Sequence, residues 1–274
     1  VVFDSTGPTG EISSTFDSAS NKVVIAYSDA GNSDRGTAIV GTVNNTAISF
    51  GSAVVFDSTG PTGEISSTFD SASNKVVIAY SDAGNSDRGT AIVGTVNNTA
   101  ISFGSAVVFD STGPTGEISS TFDSNANKVV IAYKDQGSSS KGTAIVGTVS
   151  STSISFGSAV VFEEGETTNI SSTFDSNANK VVIAYRDGGN SNQGTLSVGT
   201  VSETSISFSS AVVFEDSASE DCSSTFDSLN NKVVIAYKDG GNSSYGTAVV
   251  FQNAFTAITR AEVASGSNAV IDIG

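Results

Sequence analysis

The sequence predicts an all-β protein built from five repeats, and three observations support this prediction. The segment Asn-Lys-Val-Val-Ile-Ala-Tyr begins at residue 21 and returns four times, at spacings of 53, 53, 52 and 52 residues. The runs around it are rich in Val, Ile, Thr and Phe, which favour strands, and no segment has the periodicity of a helix. Turns of Gly, Asn, Asp and Ser divide these runs at intervals typical of hairpin-linked strands.

Each repeat is predicted to form four short antiparallel strands. In the first repeat these are residues 12–17, 22–27, 37–43 and 47–56, with a bend expected at Gly51. The run Val-Val-Ile-Ala in the second strand is apolar at every position, which is typical of a strand buried on both faces. A sandwich strand with one wet face would alternate instead, and the coils of a solenoid are usually shorter. The pattern therefore favours the blades of a β-propeller, whose middle strands pack against both neighbouring blades.

We therefore predict a five-bladed β-propeller of four-stranded antiparallel blades over residues 1–259. Its repeats are 1–53, 54–106, 107–159, 160–211 and 212–259. The fifth repeat lacks an outer strand in one piece, so we expect residues 1–3 and residues 255–259 to supply its two halves and close the ring. Residues 260–274 lie outside the repeat and predict a short β extension or the start of a following domain.

The net charge of −16 argues against partners that are themselves polyanions. Nucleic acid and anionic membrane surfaces both require basic patches on the protein that binds them. No run of the sequence approaches the length of apolar chain that spans a bilayer, so we expect no membrane insertion.

The sequence offers little for catalysis. It contains no histidine, which excludes a Ser-His-Asp or Cys-His site within this chain. A site with paired carboxylates, of the kind used in glycoside hydrolysis, is not excluded. However, nearly identical repeats give such carboxylates similar surroundings, whereas a catalytic acid and a catalytic base need different ones. We therefore predict that the protein is not an enzyme. The single cysteine, Cys222, replaces an isoleucine of the other repeats and is expected to be a small buried apolar side chain.

The first candidate site is a ring of polar residues at the start of the inner strands. Its members are Glu11, Glu64, Glu117, Asn169 and Asp221. Around a central axis these side chains would meet at one mouth of the channel, where carboxylates must be hydrated, partly protonated or neutralised by a cation. Oxygen ligands of this kind suit Ca²⁺, so the sequence predicts either a calcium site or a hydrated rim without an ion, and no other cofactor.

The second candidate site is the loop after the second strand of each repeat. Its first residue is always an aspartate: Asp29, Asp82, Asp135, Asp187 and Asp239. In the first two copies the loop D-A-G-N-S-D-R-G is weakly similar to the start of a calcium-binding loop, and the alternative is an aspartate that caps the turn with its side chain. Tyr245 stands alone in the fifth of these loops and is a candidate exposed contact.

The loops of one predicted face differ most between the repeats. They join each fourth strand to the next first strand, and each second strand to the third; DSTGPTGE, for example, becomes EEGETTN and EDSASED in the later copies. Binding residues tend to lie on loops that a rigid scaffold presents, so we expect a binding site on this face, with neutral drift as the alternative explanation.

The repeat VVIAYxDxGNSxxGTAIVGTV…SISFGSAVVF resembles the highly repetitive propeller-like repeats of large extracellular proteins and of tail-fibre or other virion proteins of marine bacteria and their phages. The resemblance covers about residues 1–250. It implies an adhesive or structural module, extracellular or on a virion surface, that binds a cell-surface glycan, a protein receptor or copies of itself. In blade count the chain is also similar to the tachylectin-2-like sugar-binding propellers.

Three functions follow from these resemblances. The first is a non-enzymatic receptor-binding or spacer domain of a phage tail fibre. The second is a multivalent carbohydrate-binding lectin with equivalent pockets between its blades. The third is a subunit of a self-assembling surface filament, with head-to-tail contacts between copies.

Overall fold

The fold was described from a computed structural model, which covers residues 1–252, 258–259 and 270–273. Strands account for most of this part, and the helical elements within it are three short 3₁₀ turns, at Ala30–Asn32, Ala83–Asn85 and Gln136–Ser138. The prediction of an all-β protein is therefore confirmed. No helix within these residues has the length and apolar character needed to cross a membrane.

The strands of the described residues form five sheets, one for each repeat, and every strand pair is antiparallel except one in the fifth sheet. The first sheet contains β1 (Thr9–Asp17), β2 (Lys22–Asp29), β3 (Arg35–Asn44), β4 (Ala47–Phe50) and β5 (Val54–Val55). The second contains β6 (Thr62–Asp70), β7 (Lys75–Asp82), β8 (Arg88–Asn97), β9 (Ala100–Phe103) and β10 (Val107–Val108). The third contains β11 (Thr115–Asp123), β12 (Lys128–Asp135), β13 (Lys141–Ser150), β14 (Ser153–Phe156) and the first half of β15 (Val160–Asp175).

The last two sheets share long strands with their predecessors. The fourth contains the second half of β15, β16 (Lys180–Asp187), β17 (Gln193–Ser202), β18 (Ser205–Phe208) and the first half of β19 (Val212–Asp227). The fifth contains the second half of β19, β20 (Lys232–Asp239), β21 (Tyr245–Gln252), β22 (Ile258–Thr259) and β23 (Val270–Ile273). At the first two junctions the outer and inner strands are separate and a loop joins them, whereas β15 and β19 each run through their junction without a break.

The outer strand of the first three sheets is bent, as the glycine predicted, and in the fourth sheet Ser209 stands at the position of that glycine. In the first sheet β4 and β5 both pair with β3, through pairs such as Gly41 with Phe50 and Ala38 with Val54. The bend brings Gly51 against the next sheet, where a Cβ at this position would collide with the backbone carbonyl of Thr99. The close approach therefore requires a residue without a side chain in the first copy.

The middle strands of the second, third and fourth sheets are buried on both faces, as predicted, whereas those of the first and fifth are fully buried on one face. In the second sheet we call the side that carries Val76, Ile78 and Tyr80 the leading face, and the side that carries Val77 and Ala79 the trailing face; all five side chains are at most 1% exposed. The same two names are used for the equivalent positions of the other sheets. The trailing face of each sheet packs on the leading face of the next, which forms one apolar cluster per junction.

Aromatic and hydroxyl contacts repeat at every junction. The ring of Phe56, which follows β5, lies 5.2 Å from that of Tyr80 in the second sheet, and the later junctions repeat this contact. On the inner strands, the hydroxyls of Ser13 and Ser67 lie 2.9 Å apart, and three further serine pairs join the following sheets. These contacts join each sheet to the next at every junction.

Cys222 packs against the apolar cluster between the fourth and fifth sheets and makes no disulfide. Burial raises the pKa of its thiol to about 11, so at neutral pH it is a protonated, unreactive side chain. This agrees with the prediction of a small apolar residue at the isoleucine position.

The described residues do not show the predicted closure of the ring. Residues 1–3 form no strand, and β23, rather than residues 255–259, lies beside β21 in a parallel pair. Of that predicted segment, 258–259 form β22, which pairs with β23, and 255–257 lie outside the described residues. No ladder joins the first sheet to the fifth in the described part of the chain.

Candidate functional site

The predicted acidic ring residues share an unusual backbone conformation. Each lies at a bulge in an inner strand, such as the register shift between Gly63 and Ser66 in β6. The φ angles are 49° at Glu11, 52° at Glu64, Glu117 and Asn169, and 53° at Asp221. Asn and Asp tolerate this left-handed region, but a glutamate there costs conformational free energy. Three repeats retain glutamate despite that cost, which makes the position a candidate for function.

These side chains link neighbouring sheets in a row. The Glu64 carboxylate accepts a hydrogen bond from the backbone N–H of Glu117 at 2.8 Å, and the Glu117 carboxylate accepts one from Asn169 at 2.9 Å. The structure thus brings consecutive members of the predicted ring together through side-chain-to-backbone bonds. Within the described residues, no group of three or more acidic, cysteine or histidine side chains is arranged to hold a metal ion.

Glu64 is the most perturbed carboxylate of the row. Burial raises its pKa above the ordinary value of 4.5, and repulsion by Glu117 and Glu11 adds to the rise. The backbone N–H groups of Glu117 and Ile118 donate to the carboxylate and oppose the shift. The folded protein therefore holds the Glu64 proton more tightly than the unfolded chain does.

Glu64→Gln is expected to make the protein more stable at pH 7 and to leave its stability unchanged in acid. Because the folded-state pKa of Glu64 is raised above 4.5, ionisation lowers the free energy of unfolding as the pH rises through that value, and glutamine has no such loss. Below about pH 4 both states of the wild type are protonated at this site and the advantage disappears. Urea unfolding at the two pH values measures the difference. A variant that is less stable than the wild type at pH 7 would contradict this expectation.

The aspartates that open the second candidate loop are internal turn anchors. Their side chains are buried, and Asp135 accepts a hydrogen bond from the Ser138 N–H at 2.9 Å, as Asp187 does from the Asn190 N–H at 3.0 Å. This geometry fits the turn-capping alternative. Asp239 is buried and accepts from the Gly241 N–H in the same way. Asp29 and Asp82 are also buried but make no such bond in their turns, and they accept from the hydroxyls of Thr6 and Thr59 instead.

A second set of buried aspartates was not anticipated from the sequence. Asp57 is 4% exposed and accepts hydrogen bonds from the N–H and hydroxyl of Thr59, at 2.9 and 2.7 Å. The Thr59 hydroxyl also lies 2.8 Å from Asp82, so the loop between the sheets is tied to the turn after β7. The signal was available, since Asp followed two residues later by Thr favours this turn.

A cleft of about 590 Å³ lies where these loops meet across the first three sheets. Acidic side chains line it at Glu11, Asp34, Glu64 and Asp87. Ser28, Ser81 and Gln136 add polar groups, and Pro61 and Pro114 add apolar surface. Its walls come from both kinds of loop that vary between the repeats, and no lysine or arginine lies among the lining residues. The cleft can therefore accept hydrogen bonds from hydroxyl groups, and its lining residues offer no positive charge to an anion.

Tyr245 lies at the first position of β21 and is 64% exposed. The equivalent residues of the other sheets are Arg35, Arg88, Lys141 and Gln193. Arg35 donates to the Asn32 amide oxygen at 3.3 Å and Lys141 pairs with Glu164 at 2.6 Å. This position thus carries four different residue types in the five copies, and Tyr245 is the aromatic one.

Comparison with known proteins shows the fold and no family. No protein-family model and no curated protein sequence matches the chain. Among solved structures, AofleA from Arthrobotrys oligospora matches with a TM-score of 0.57 and 11% identity, over 89% of this chain and 69% of that one. A variant of AofleA with three arginines changed to alanine matches with a TM-score of 0.54 and 10% identity, over 89% and 68% of the chains. The fold is propeller-like.

A third match corrects one prediction. An exo-1,5-α-L-arabinanase from a bovine ruminal metagenomic library matches with 8% identity and a TM-score of 0.44, over 99% of both chains. One of these matches is an enzyme, and the prediction from composition that the chain is not an enzyme is therefore wrong. At this TM-score the match assigns no activity to the chain. None of the three matches is a tail-fibre protein, and that interpretation stays a prediction.

Proposed function

We propose that this protein binds carbohydrate at the loop face of its propeller-like fold. The observation that carries the proposal is the cleft of about 590 Å³ lined by carboxylates, hydroxyls and an amide. Ligand pockets typically have volumes of about 300–1,000 Å³ and a few converging polar groups. A sugar is a neutral polyol, and its hydroxyls can donate to these acceptors without the positive charge that an anionic ligand needs.

The electrostatics support the same class of ligand. The chain carries a net charge of −16, and four of the residues that line the cleft are acidic. Charge-assisted hydrogen bonds from sugar hydroxyls to carboxylates are stronger than bonds between neutral groups. The two prolines and Ala83 provide small apolar surfaces that can contact the C–H faces of a pyranose ring.

The repeats make the proposed binding multivalent, with sites of unequal quality. Residues 1–53 and 54–106 are identical, so their junctions offer the same groups. In the fourth and fifth repeats, Asn169 and Asp221 replace the glutamate and the Pro-containing loop is lost. The number of strong sites is therefore expected to be smaller than the number of repeats.

Of the functions that the sequence suggested, carbohydrate binding has better support than the tail-fibre interpretation. That the five sheets are the blades of a propeller remains part of the proposal. Location outside the cell or on a virion surface also remains a proposal, and it fits a protein that binds glycans on cell surfaces.

Glycan-array screening of the purified protein followed by calorimetric titration tests the proposed function. The expected result is a neutral glycan whose affinity falls about tenfold or more in Glu64→Gln, since loss of a hydrogen bond to a charged group costs about 1.5–3 kcal/mol. Gln136→Ala is expected to weaken binding as well, and it places at this position the residue found in the first two repeats.

Asn125→Ala serves as the matched control, because Asn125 lies at the turn between β11 and β12, at the other end of the inner strand. It should bind like the wild type. Since Glu64→Gln is expected to be more stable than the wild type at pH 7, weaker binding by that variant cannot be attributed to unfolding. An array without a bound glycan, or equal affinity in Glu64→Gln, would count against the proposal.

A further inference from the structure

Each internal junction of the chain is an interface between two faces, one from each neighbouring sheet. The first sheet exposes one such face and the fifth sheet exposes the other. At those junctions, the small side chains of a trailing face pack on the larger side chains of a leading face. The leading face of the first sheet and the trailing face of the fifth have no such neighbour among the described residues. These two surfaces are complementary in the same way as the buried pairs.

The trailing face of the fifth sheet is open at its centre. Ala236 and Ala248 are exposed there, whereas Ala79 and Ala91 in the second sheet are completely buried. A Cβ added at Gly142 would lie 2.5 Å from the ring of Phe162, which covers that glycine. A Cβ at the equivalent Gly246 would meet nothing within 4 Å. The fifth sheet therefore keeps the glycine but lacks the phenylalanine that the glycine accommodates.

The leading face of the first sheet exposes the apolar side chains that would pack on such a trailing face. Ile12 and Phe16 are 56% and 54% exposed, and their equivalents Ile65 and Phe69 lie in the cluster between the first two sheets. The ring of Phe3 already lies 5.1 Å from that of Tyr27, as Phe56 does against Tyr80. Phe3 is thus placed as the phenylalanine of a junction whose other sheet is not found beside it among the described residues.

Backbone groups follow the same pattern. In the first sheet the outer edge of β3 pairs Thr37 with Val55 and Ala38 with Val54. The equivalent edge of β21 is Thr247–Ala248, and the pairs of β21 with β23 begin only at Val250. Residues 1–2 are Val-Val, like Val54–Val55, so their sequence suits the strand position that this edge leaves unpaired. An exposed edge of this kind is a template for strand addition by another chain.

We propose that the leading face of the first sheet docks on the trailing face of the fifth sheet of a second copy of this chain. Phe3 then covers Gly246 of the neighbouring copy, Val1 and Val2 extend the edge of its β21, and Ser14 lies against its Ser223. A second copy is the occupant because it carries both halves of the interface, while no strand ladder joins the first and fifth sheets within one chain. The contact is heterologous, so it repeats from copy to copy. This inference is independent of the proposed glycan binding.

Two variants that each block one face provide the test. Phe16→Asp places a charge on the leading face and Ala236→Arg places one on the trailing face; both positions are exposed, so folding should be retained. Sedimentation of the wild type should show species larger than the 27.6 kDa chain that grow with concentration, and each variant alone should be a monomer. An equimolar mixture of the two should form a dimer and nothing larger, because each variant keeps one competent face. Gly246→Leu serves as a second block of the trailing face if Ala236→Arg does not fold.

A cysteine pair distinguishes a second copy from closure within one chain. Ser14 and Ser223 are equivalent to Ser67 and Ser13, whose hydroxyls lie 2.9 Å apart at the first junction. In a Cys222→Ile background, Ser14→Cys with Ser223→Cys should give disulfide-linked dimers and longer chains that reduction removes. A wild type that stays monomeric at high concentration, a mixture of blocked variants without a dimer, or a disulfide formed within single chains would each overturn the proposal.

Discussion

Ile131→Ala is expected to lower the free energy of unfolding by about 2–5 kcal/mol, the usual cost of truncating a buried isoleucine. Ile131 lies in the middle strand β12 and is completely buried in the cluster between the second and third sheets. Sheets on both sides confine the site, so the cavity left by the lost atoms cannot collapse easily. The midpoint of urea unfolding measures the loss.

Ile25→Ala is the matched control for this truncation. Ile25 occupies the same position of the first repeat, but its side chain is only half-buried because the leading face of the first sheet is open. The expected loss is clearly smaller, since less apolar area leaves water at this position on folding. Both variants are measured in the Phe16→Asp background, so that docking of a second copy does not cover Ile25. Equal losses would mean that the first sheet is covered as fully as the third.

Gly142→Ala is expected to destabilise the protein by about 1–3 kcal/mol, the range found when an extra methyl group is forced into a packed core. The new Cβ would lie 2.5 Å from the Cε2 atom of Phe162 and 2.8 Å from the hydroxyl of Thr167. Phe162 is held between Tyr185 and Phe208, at centroid distances of 5.2 and 5.7 Å, so its ring has little freedom to move away. Thermal unfolding monitored by circular dichroism reads out the change.

Gly246→Ala is expected to have the opposite sign. Nothing lies within 4 Å of the Cβ that it adds, and alanine reduces the conformational entropy of the unfolded chain, which stabilises a protein by about 0.4–1 kcal/mol. Measured in the same Phe16→Asp background, the two substitutions compare one residue change at equivalent positions with and without a covering phenylalanine. If Gly246→Ala lowered the stability as much as Gly142→Ala does, Gly246 would be covered by another group and the trailing face of the fifth sheet would not be open.

The buried middle strands could be predicted because their chemistry is local. Four consecutive apolar residues leave no polar face for water, so a strand such as β7 must be covered on both sides, and the structure shows Val76 and Val77 completely buried. The bend of the outer strand was likewise visible in Gly51. Both features depend on residues that are neighbours along the chain.

Closure and the site could not be predicted in this way, because they depend on distant groups. Whether residues 1–3 reach β21 is set by the accumulated twist and spacing of all the sheets, which no single repeat specifies. The left-handed backbone at Glu64 follows from a bulge, and glutamate carries no propensity signal for that conformation. The cleft needs Asp34, Glu64 and Gln136 together, and these residues come from three different repeats.

The contrast between the first two junctions and the last two gives the chain unequal stiffness along its length. Between the first three sheets the link is a Pro-containing loop, whereas β15 and β19 cross their junctions as unbroken strands of 16 residues. Loops and strand ends are where hinge bending occurs, so relative tilting should concentrate in the N-terminal half. The cleft lies in that compliant half, lined by both Pro61 and Pro114. We therefore expect small rotations of whole sheets to change the width of the cleft more than the shape of the C-terminal half.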